Sequence, residues 1–164
     1  MKKSKPRSED PGEGGLDAAG LRQLALNLLA RREHSVLELG RKLATRGAER
    51  ELIDTLLDQL QHERLLSDKR FAEAYVRMRT ERGFGPLRIR AELRERGVDE
   101  GLITAELDGG SSHWSTQAEA ARRKRFGARP PRDWSERARQ ARFLEYRGFS
   151  AGTIGAVLRD TVDD

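Results

Sequence analysis

A register of leucine, arginine, glycine and an apolar residue recurs three times in this 164-residue chain. Gly47, Gly97 and Gly148 stand fifty and fifty-one residues apart. Four positions before each glycine is a leucine (Leu43, Leu93, Leu144), and directly before each is an arginine (Arg46, Arg96, Arg147). An apolar residue follows (Ala48, Val98, Phe149), then an isoleucine six positions on (Ile53, Ile103, Ile154) and a leucine ten on (Leu57, Leu107, Leu158). Agreement in so many columns marks an internal repeat. A unit of about fifty residues buries too little surface to stand well alone, so neighbours are expected to share faces. The fold predicted is all-α: three tandem three-helix repeats forming an elongated curved rod. The expected division is a tail over 1–15, repeats over 16–64, 65–109 and 110–160, and a short tail over 161–164. Such a rod offers a long concave side instead of a pocket.

Helix signals fill in each unit. Asp17 is positioned to cap a first helix with Leu21, Leu24, Ala25 and Leu28 on one face. Ser35-Val-Leu-Glu38 is a capping-box pattern for a second helix, and Leu52, Ile53, Leu56, Leu57 and Leu60 form the stripe of a third. In the middle unit Phe71, Tyr75, Met78 and Arg82 fall on one helical face. Gly83 and Gly85 break that helix, Pro86 suits the first turn of the next, and Ile89 and Leu93 share its buried side up to Gly97. Asp99 caps a short helix carrying Leu102, Ile103 and Leu107. Gly109-Gly-Ser-Ser112 reads as a linker, with helix resuming from Ser115 to Phe126. Asp133 and Ser150 cap the last two helices.

Composition limits function by exclusion. Cysteine is absent, which removes disulfides and thiolate metal sites. His34, His62 and His113 lie far apart and lack metal-ligand spacing, so no metal or other cofactor is expected. No glycine loop follows a strand or precedes Gly-Lys-Ser/Thr, and no catalytic arrangement stands out, so the chain is not read as an enzyme. No apolar run reaches the ~20 residues of a membrane span, and the basic stretch Lys2, Lys3, Lys5 and Arg7 leads into no apolar segment. A cytoplasmic protein is the expectation.

The formal charge of +5 directs attention to the arginines. Arg46, Arg96 and Arg147 end their helices, where a cation suits the dipole and the free carbonyls, so they are assigned to the fold. Arg79 and Arg82 lie beside the apolar stripe and are assigned to it as well. Arg77 points away from that stripe, and Arg90 and Arg94 share one flank of the next helix. Arg122, Arg123, Lys124 and Arg125 form an unbroken run, with Arg129, Arg132, Arg137, Arg139 and Arg142 beyond it. Four cations around one helix exceed what local carboxylates balance, which suits phosphates or an acidic surface. The contact candidates are Arg77, Arg90, Arg94, Arg122, Arg123, Lys124, Arg125 and Arg142.

The run Asp68-Lys-Arg-Phe-Ala-Glu-Ala-Tyr-Val-Arg-Met-Arg79, with Gly85-Pro-Leu-Arg-Ile89, Glu92-Leu93 and Arg96-Gly97-Val98, resembles the core signature of the bacterial RecX regulatory proteins. Phe143-Leu-Glu-Tyr-Arg-Gly-Phe-Ser150 with Ile154 and Leu158 is similar to that family's C-terminal pattern. Phe71, Tyr75, Gly85, Pro86, Ile89, Leu93, Arg96 and Gly97 are the signature positions, read as structural. The resemblance implies a non-enzymatic, monomeric modulator that lodges in the groove of the RecA recombinase filament on single-stranded DNA. It further implies inhibition of ATPase and strand exchange, a place in DNA repair and the SOS response, and for some members contact with single- or double-stranded DNA. The competing reading is a free-standing basic helical DNA-binding protein.

Overall fold

The structure, a computed structural model, describes residues 15–159; the expected tails over 1–15 and 161–164 fall outside these, save for Gly15. The described residues form nine helices and no strand. The first unit is α1 (Ala18–Arg31), α2 (Val36–Ala44) and α3 (Arg50–His62). The second is α4 (Asp68–Glu81), α5 (Pro86–Glu95) and α6 (Glu100–Leu107), and the third is α7 (Gly110–Phe126), α8 (Trp134–Tyr146) and α9 (Ala151–Arg159).

The repeated columns are helix-stop chemistry. After α5 the N–H of Val98 donates to the carbonyl of Leu93 at 3.1 Å, and after α8 Phe149 does the same to Leu144 at 3.1 Å. This six-to-one bond needs a left-handed residue between, and Gly97 (φ +74°) and Gly148 (φ +93°) supply it. The apolar residue that follows is buried in these two, Val98 and Phe149, and half-buried in the first unit, Ala48. Side-chain caps start the helices: Asp17 accepts from Gly20 N–H at 2.8 Å, Asp133 from Glu136 N–H at 2.8 Å, and Ser150 from Thr153 N–H at 3.2 Å. The capping box at Ser35 is only half built. Ser35 Oγ accepts from Glu38 N–H at 3.1 Å, while the Glu38 carboxylate turns to Arg32 at 2.6 Å.

One element departs from expectation. Gly109-Gly-Ser-Ser112 is not a linker, because α7 begins at Gly110 and the connection is Asp108 and Gly109 alone. Trp114 explains the difference. Its indole is buried and its N–H donates to the Leu107 carbonyl at 3.1 Å, which anchors the first turn of α7 onto the end of α6. That packing outweighs the poor helix propensity of glycine and serine.

The units are seated on one another in chain order through the same corner. Ser35 and Gly85 occupy equivalent positions, eight residues before Leu43 and Leu93. Ser35 Oγ donates to the Arg96 carbonyl at 2.7 Å across the first junction. Gly85 N–H donates to the Arg147 carbonyl at 2.7 Å across the second, joined by Leu87 N–H to the Gly148 carbonyl at 3.0 Å. A Cβ on Gly85 would lie 2.5 Å from the Gly148 carbonyl oxygen, so only glycine allows the second docking. In the third unit the matching position is Glu136, whose N–H is already taken by Asp133.

The core is shared only in part. Phe71, Ile89, Leu93, Ile103, Trp114, Leu144 and Phe149 belong to one buried cluster that runs through the second and third units. The first unit keeps its own cluster of Leu21, Leu39, Leu43, Ile53, Leu60 and neighbours, with Leu66 reaching in from the second.

Candidate functional site

The structure sorts the arginines by their partners. Arg90 and Arg94 are not free, as their shared flank suggested; both pair with Glu100 at the start of α6, Arg94 through its Nε at 2.8 Å. Arg90 also donates to Thr104 at 3.2 Å. The two guanidinium groups, Arg94 foremost, hold the Glu100 carboxyl below its usual range. Asp99 caps α6 so that Glu100 projects from its first residue, within reach of Arg90 and Arg94 on α5.

Arg122 departs furthest from its reading as a contact residue. Only 1% of it is exposed, and it holds α7 against α8 from inside. Its Nε and Nη2 donate to Glu119 at 2.7 and 2.8 Å, and its Nη1 to Gln140 and to the Arg129 carbonyl at 3.3 Å. Arg123 shares Glu119 at 2.6 Å, so one carboxylate engages two of the four cations in the run and offsets one of their charges. Lys124, Arg125, Arg142 and Arg77 are exposed, and no ion pair joins any of them among the described residues.

The signature positions sit in the packing. Phe71, Ile89 and Leu93 are buried, Pro86 is the first residue of α5, and Gly85 and Gly97 lie at the two junctions. Tyr75 donates its hydroxyl to Glu92 at 2.8 Å, and burial followed by that bond pushes the phenol up to about 12. Arg79 grips the same carboxylate with two bonds of 2.8 and 2.6 Å, and Arg96 lies over the Tyr75 ring at 4.7 Å. Burial works against the charge of Glu92, but Arg79 and Tyr75 outweigh it and keep the carboxyl low.

What emerges is a continuous basic band that sequence reasoning had only in pieces. It starts in a groove between the first two units, where Arg79, Arg82 and Arg96 line the wall beside Glu33 and the Arg32–Glu38 ion pair. Arg82, assigned above to the apolar stripe, is in fact exposed and makes no ion pair among the described residues. Its carbonyl accepts from Arg147 Nη1 at 3.0 Å, which carries the band across the second junction. Arg147 there is more than a helix-end cation, since it caps α4 of the unit before its own. Three guanidinium groups surround the Phe84 ring: Arg79 at 3.7 Å, Arg88 at 4.6 Å and Arg147 at 4.8 Å. Arg88 also lies over Tyr146 at 5.1 Å, and Arg147 over Phe143 at 4.8 Å. Phe143 meets Phe126 edge-on, and Arg125 and Arg139 flank that ring at 5.4 and 5.7 Å.

Glu92 is the carboxylate that answers this cluster, taking Arg79 and, at 3.3 Å, Arg88. Arg82, Arg125, Arg142 and Arg147 have no carboxylate partner among the described residues, and Arg139 forms no ion pair but helps to hold the Glu136 carboxyl low. One signal in the sequence marks the band. The column two residues after the repeated leucine holds Thr45, Glu95 and Tyr146, so the aromatic there is not demanded by the repeat.

Family models of the RecX three-helix domains match this chain three times: the first domain over residues 22–60, the second over 67–107 and the third over 116–158. The chain belongs to the RecX family. Its relatives carry the same name. A regulatory protein RecX from Halorhodospira halophila (strain DSM 244 / SL1) is 46% identical over 152 residues, covering 93% of this chain and 94% of the relative. That of Pseudomonas entomophila (strain L48) is 46% identical over 145 residues, covering 87% and 94%. The crystal structure of RecX from Lactobacillus salivarius superposes with a TM-score of 0.75 at 20% identity, over 88% of this chain and 96% of that one. A second crystal structure of a regulatory protein RecX gives 0.72 at 22% identity, over 87% and 74%. At such identities the likeness concerns the fold, and the fold is the RecX one. No helix among the described residues is long and apolar enough to cross a membrane, and no group of metal-ligating side chains gathers among them.

Proposed function

We propose that this protein binds the RecA filament on single-stranded DNA and lowers its ATP hydrolysis and strand exchange, acting in recombination, DNA repair and SOS control. The observation that carries the reading is RecX membership in all three units of the chain. The basic band supports it, because a run of arginines without carboxylate partners is the complement of an acidic recombinase surface or of the DNA within it. In this mechanism the monomer lies across adjacent protomers like a wedge. It blocks the strand-exchange groove or the subunit motions coupled to ATP, and does no chemistry of its own. Arg77, Lys124, Arg125 and Arg142 act as contacts together with the band residues Arg82, Arg139 and Arg147. The cytoplasm, where RecA works, is its place.

The test is ATP hydrolysis by RecA from the same organism on single-stranded DNA, titrated with this protein at two salt concentrations. Inhibition well below one copy per RecA is expected. Unchanged hydrolysis alongside tight, salt-sensitive binding to bare duplex would overturn the reading in favour of a free-standing DNA-binding protein.

A further inference from the structure

We infer that Tyr146 is a stacking platform for an unpaired base, and that the basic band around it is a track for a single nucleic-acid strand. Tyr146 ends α8 and is 73% exposed, although burying aromatic surface is one of the larger gains a fold can make. The equivalent positions hold Thr45 and Glu95, so the ring is not a helix-stop requirement. Arg88 lies over the ring at 5.1 Å, and its Nη1 donates to the Tyr146 carbonyl at 3.3 Å, which holds the guanidinium in place. A side chain backed in this way is a rigid plate with its exposure directed outward.

Charge is laid out alongside. Arg139 and Arg142 precede Tyr146 by seven and four residues on α8, which places all three on one stripe of the helix. Both arginines are exposed and neither forms an ion pair among the described residues, although Arg139 lies near enough to Glu136 to help lower that carboxyl. Glu145, the acid next in sequence, turns instead into the groove with Ala141 and Leu158. Cations beside an outward aromatic are the pairing by which proteins hold single strands, with guanidinium groups on phosphates and a ring under a base. A duplex keeps its base faces stacked and shows only edges, so it has no use for the ring. An acidic protein surface would use the arginines and likewise leave Tyr146 idle. The inference deepens the proposed function by naming what the band touches, and it rests on that reading only for its biological setting.

The experiment uses the full chain, its Tyr146→Ala, Tyr146→Phe and Arg142→Gln variants, and labelled oligothymidine of about twenty nucleotides or a duplex of equal length, across a salt series. Tyr146→Ala is expected to weaken oligothymidine binding about tenfold, to leave the salt slope as it was and to leave the duplex unaffected. Tyr146→Phe retains affinity, and Arg142→Gln flattens the slope by about 0.7. Unchanged oligothymidine affinity in Tyr146→Ala overturns the inference, as does an equal loss on duplex or a wild-type chain that binds no strand. ATP hydrolysis by RecA, measured on the same variants, separates the two proposals. If Tyr146→Ala binds the strand normally but no longer inhibits, the band is a protein contact and the inference falls while the regulatory reading stands. If the strand binds through Tyr146 and hydrolysis is untouched by the wild-type chain, the regulatory reading falls and the inference stands.

Discussion

The two junctions of the molecule are built on one corner and yet join their units in opposite ways. Between the first and second units the contact is polar apart from Leu66 and the packing of Leu37 beside Gly97. Ser35 reaches the Arg96 carbonyl, Asp68 accepts from Val36 N–H at 2.8 Å, and Arg70 pairs with Glu33 at 2.9 Å. Beneath it His34 is buried, with Nδ1 on the Arg32 carbonyl at 3.1 Å and Nε2 facing Lys42 Nζ at 3.0 Å. Between the second and third units the contact is backbone on backbone, and the hydrophobic core passes straight through. The position of His34 in the first junction is taken in the second by Phe84, ringed with guanidinium groups. The lesson is that a repeat fixes where neighbours touch, while the residues at the touch decide whether two units become one cooperative body or remain two. Here the buried cluster is continuous between the second and third units and separate in the first, and the basic band spans both junctions.

The sharpest way to break this comparison is through the cores. Leu144→Ala and Leu43→Ala remove equivalent, fully buried leucines, each at about 2–5 kcal/mol. Leu144→Ala is expected to speed amide exchange in α4 through α9 together, whereas Leu43→Ala affects α1 through α3 and spares the rest. Exchange rising uniformly along the chain in both variants would show a single cooperative unit.

The three equivalent glycines grade the junctions. In Gly148→Ala the new Cβ would sit 2.4 Å from Arg88 Cβ and 2.6 Å from its backbone nitrogen, with a positive φ besides. A loss of at least about 3 kcal/mol is expected in urea unfolding. Gly97→Ala meets Leu37 Cδ2 at 2.8 Å, which can rotate away, and Leu37 Cβ at 2.9 Å, which moves only with its helix, so the expected loss is about 2 kcal/mol or somewhat more. Gly47→Ala meets nothing within 4 Å and should lose only the left-handed cost of about 1 kcal/mol. Equal losses at all three would mean that the junctions contribute nothing.

Acid should loosen the first junction selectively. Burial lowers the His34 pKa, with Arg32 and Lys42 adding to it against the backbone bond and Glu38. The unfolded chain therefore takes up a proton near pH 6.5 that the folded one refuses, so stability is full above that pH and falls as pH drops toward the lowered folded value. The ceiling is about 1.4 kcal/mol per pH unit, reduced by the polar neighbours. His34→Gln should remove this slope between pH 7 and 5, and a slope that survives the substitution would assign it elsewhere.

The smallest effect concerns the flank that resembled a contact surface. Glu100→Gln unpairs Arg90 and Arg94 at an exposed site, and the urea midpoint should barely move. The salt slope of oligothymidine binding should steepen if the freed cations join the track, and stay put if they lie off it.

Much of this protein was legible in its sequence because the information is local. The leucine, arginine, glycine and apolar columns are the chemistry of a helix stop. Leucine supplies the carbonyl, glycine the left-handed turn and the apolar residue the seal, all within six residues. Period, helix content and the three units followed from that, and the RecX signature was readable in the same columns. Partners were not local, and there sequence reasoning failed. Whether Arg90 is free depends on where α6 sets Glu100, and whether Arg122 is outside depends on α8 bringing Gln140 over it. Gly110-Ser-Ser112 is helical because Trp114 is anchored from the unit before. The band itself is assembled from α4, α5, α7 and α8, and of its arginines only Arg96 and Arg147 share the repeat's register. A charge becomes a surface only after its neighbours have chosen their partners, and that choice is made by tertiary packing.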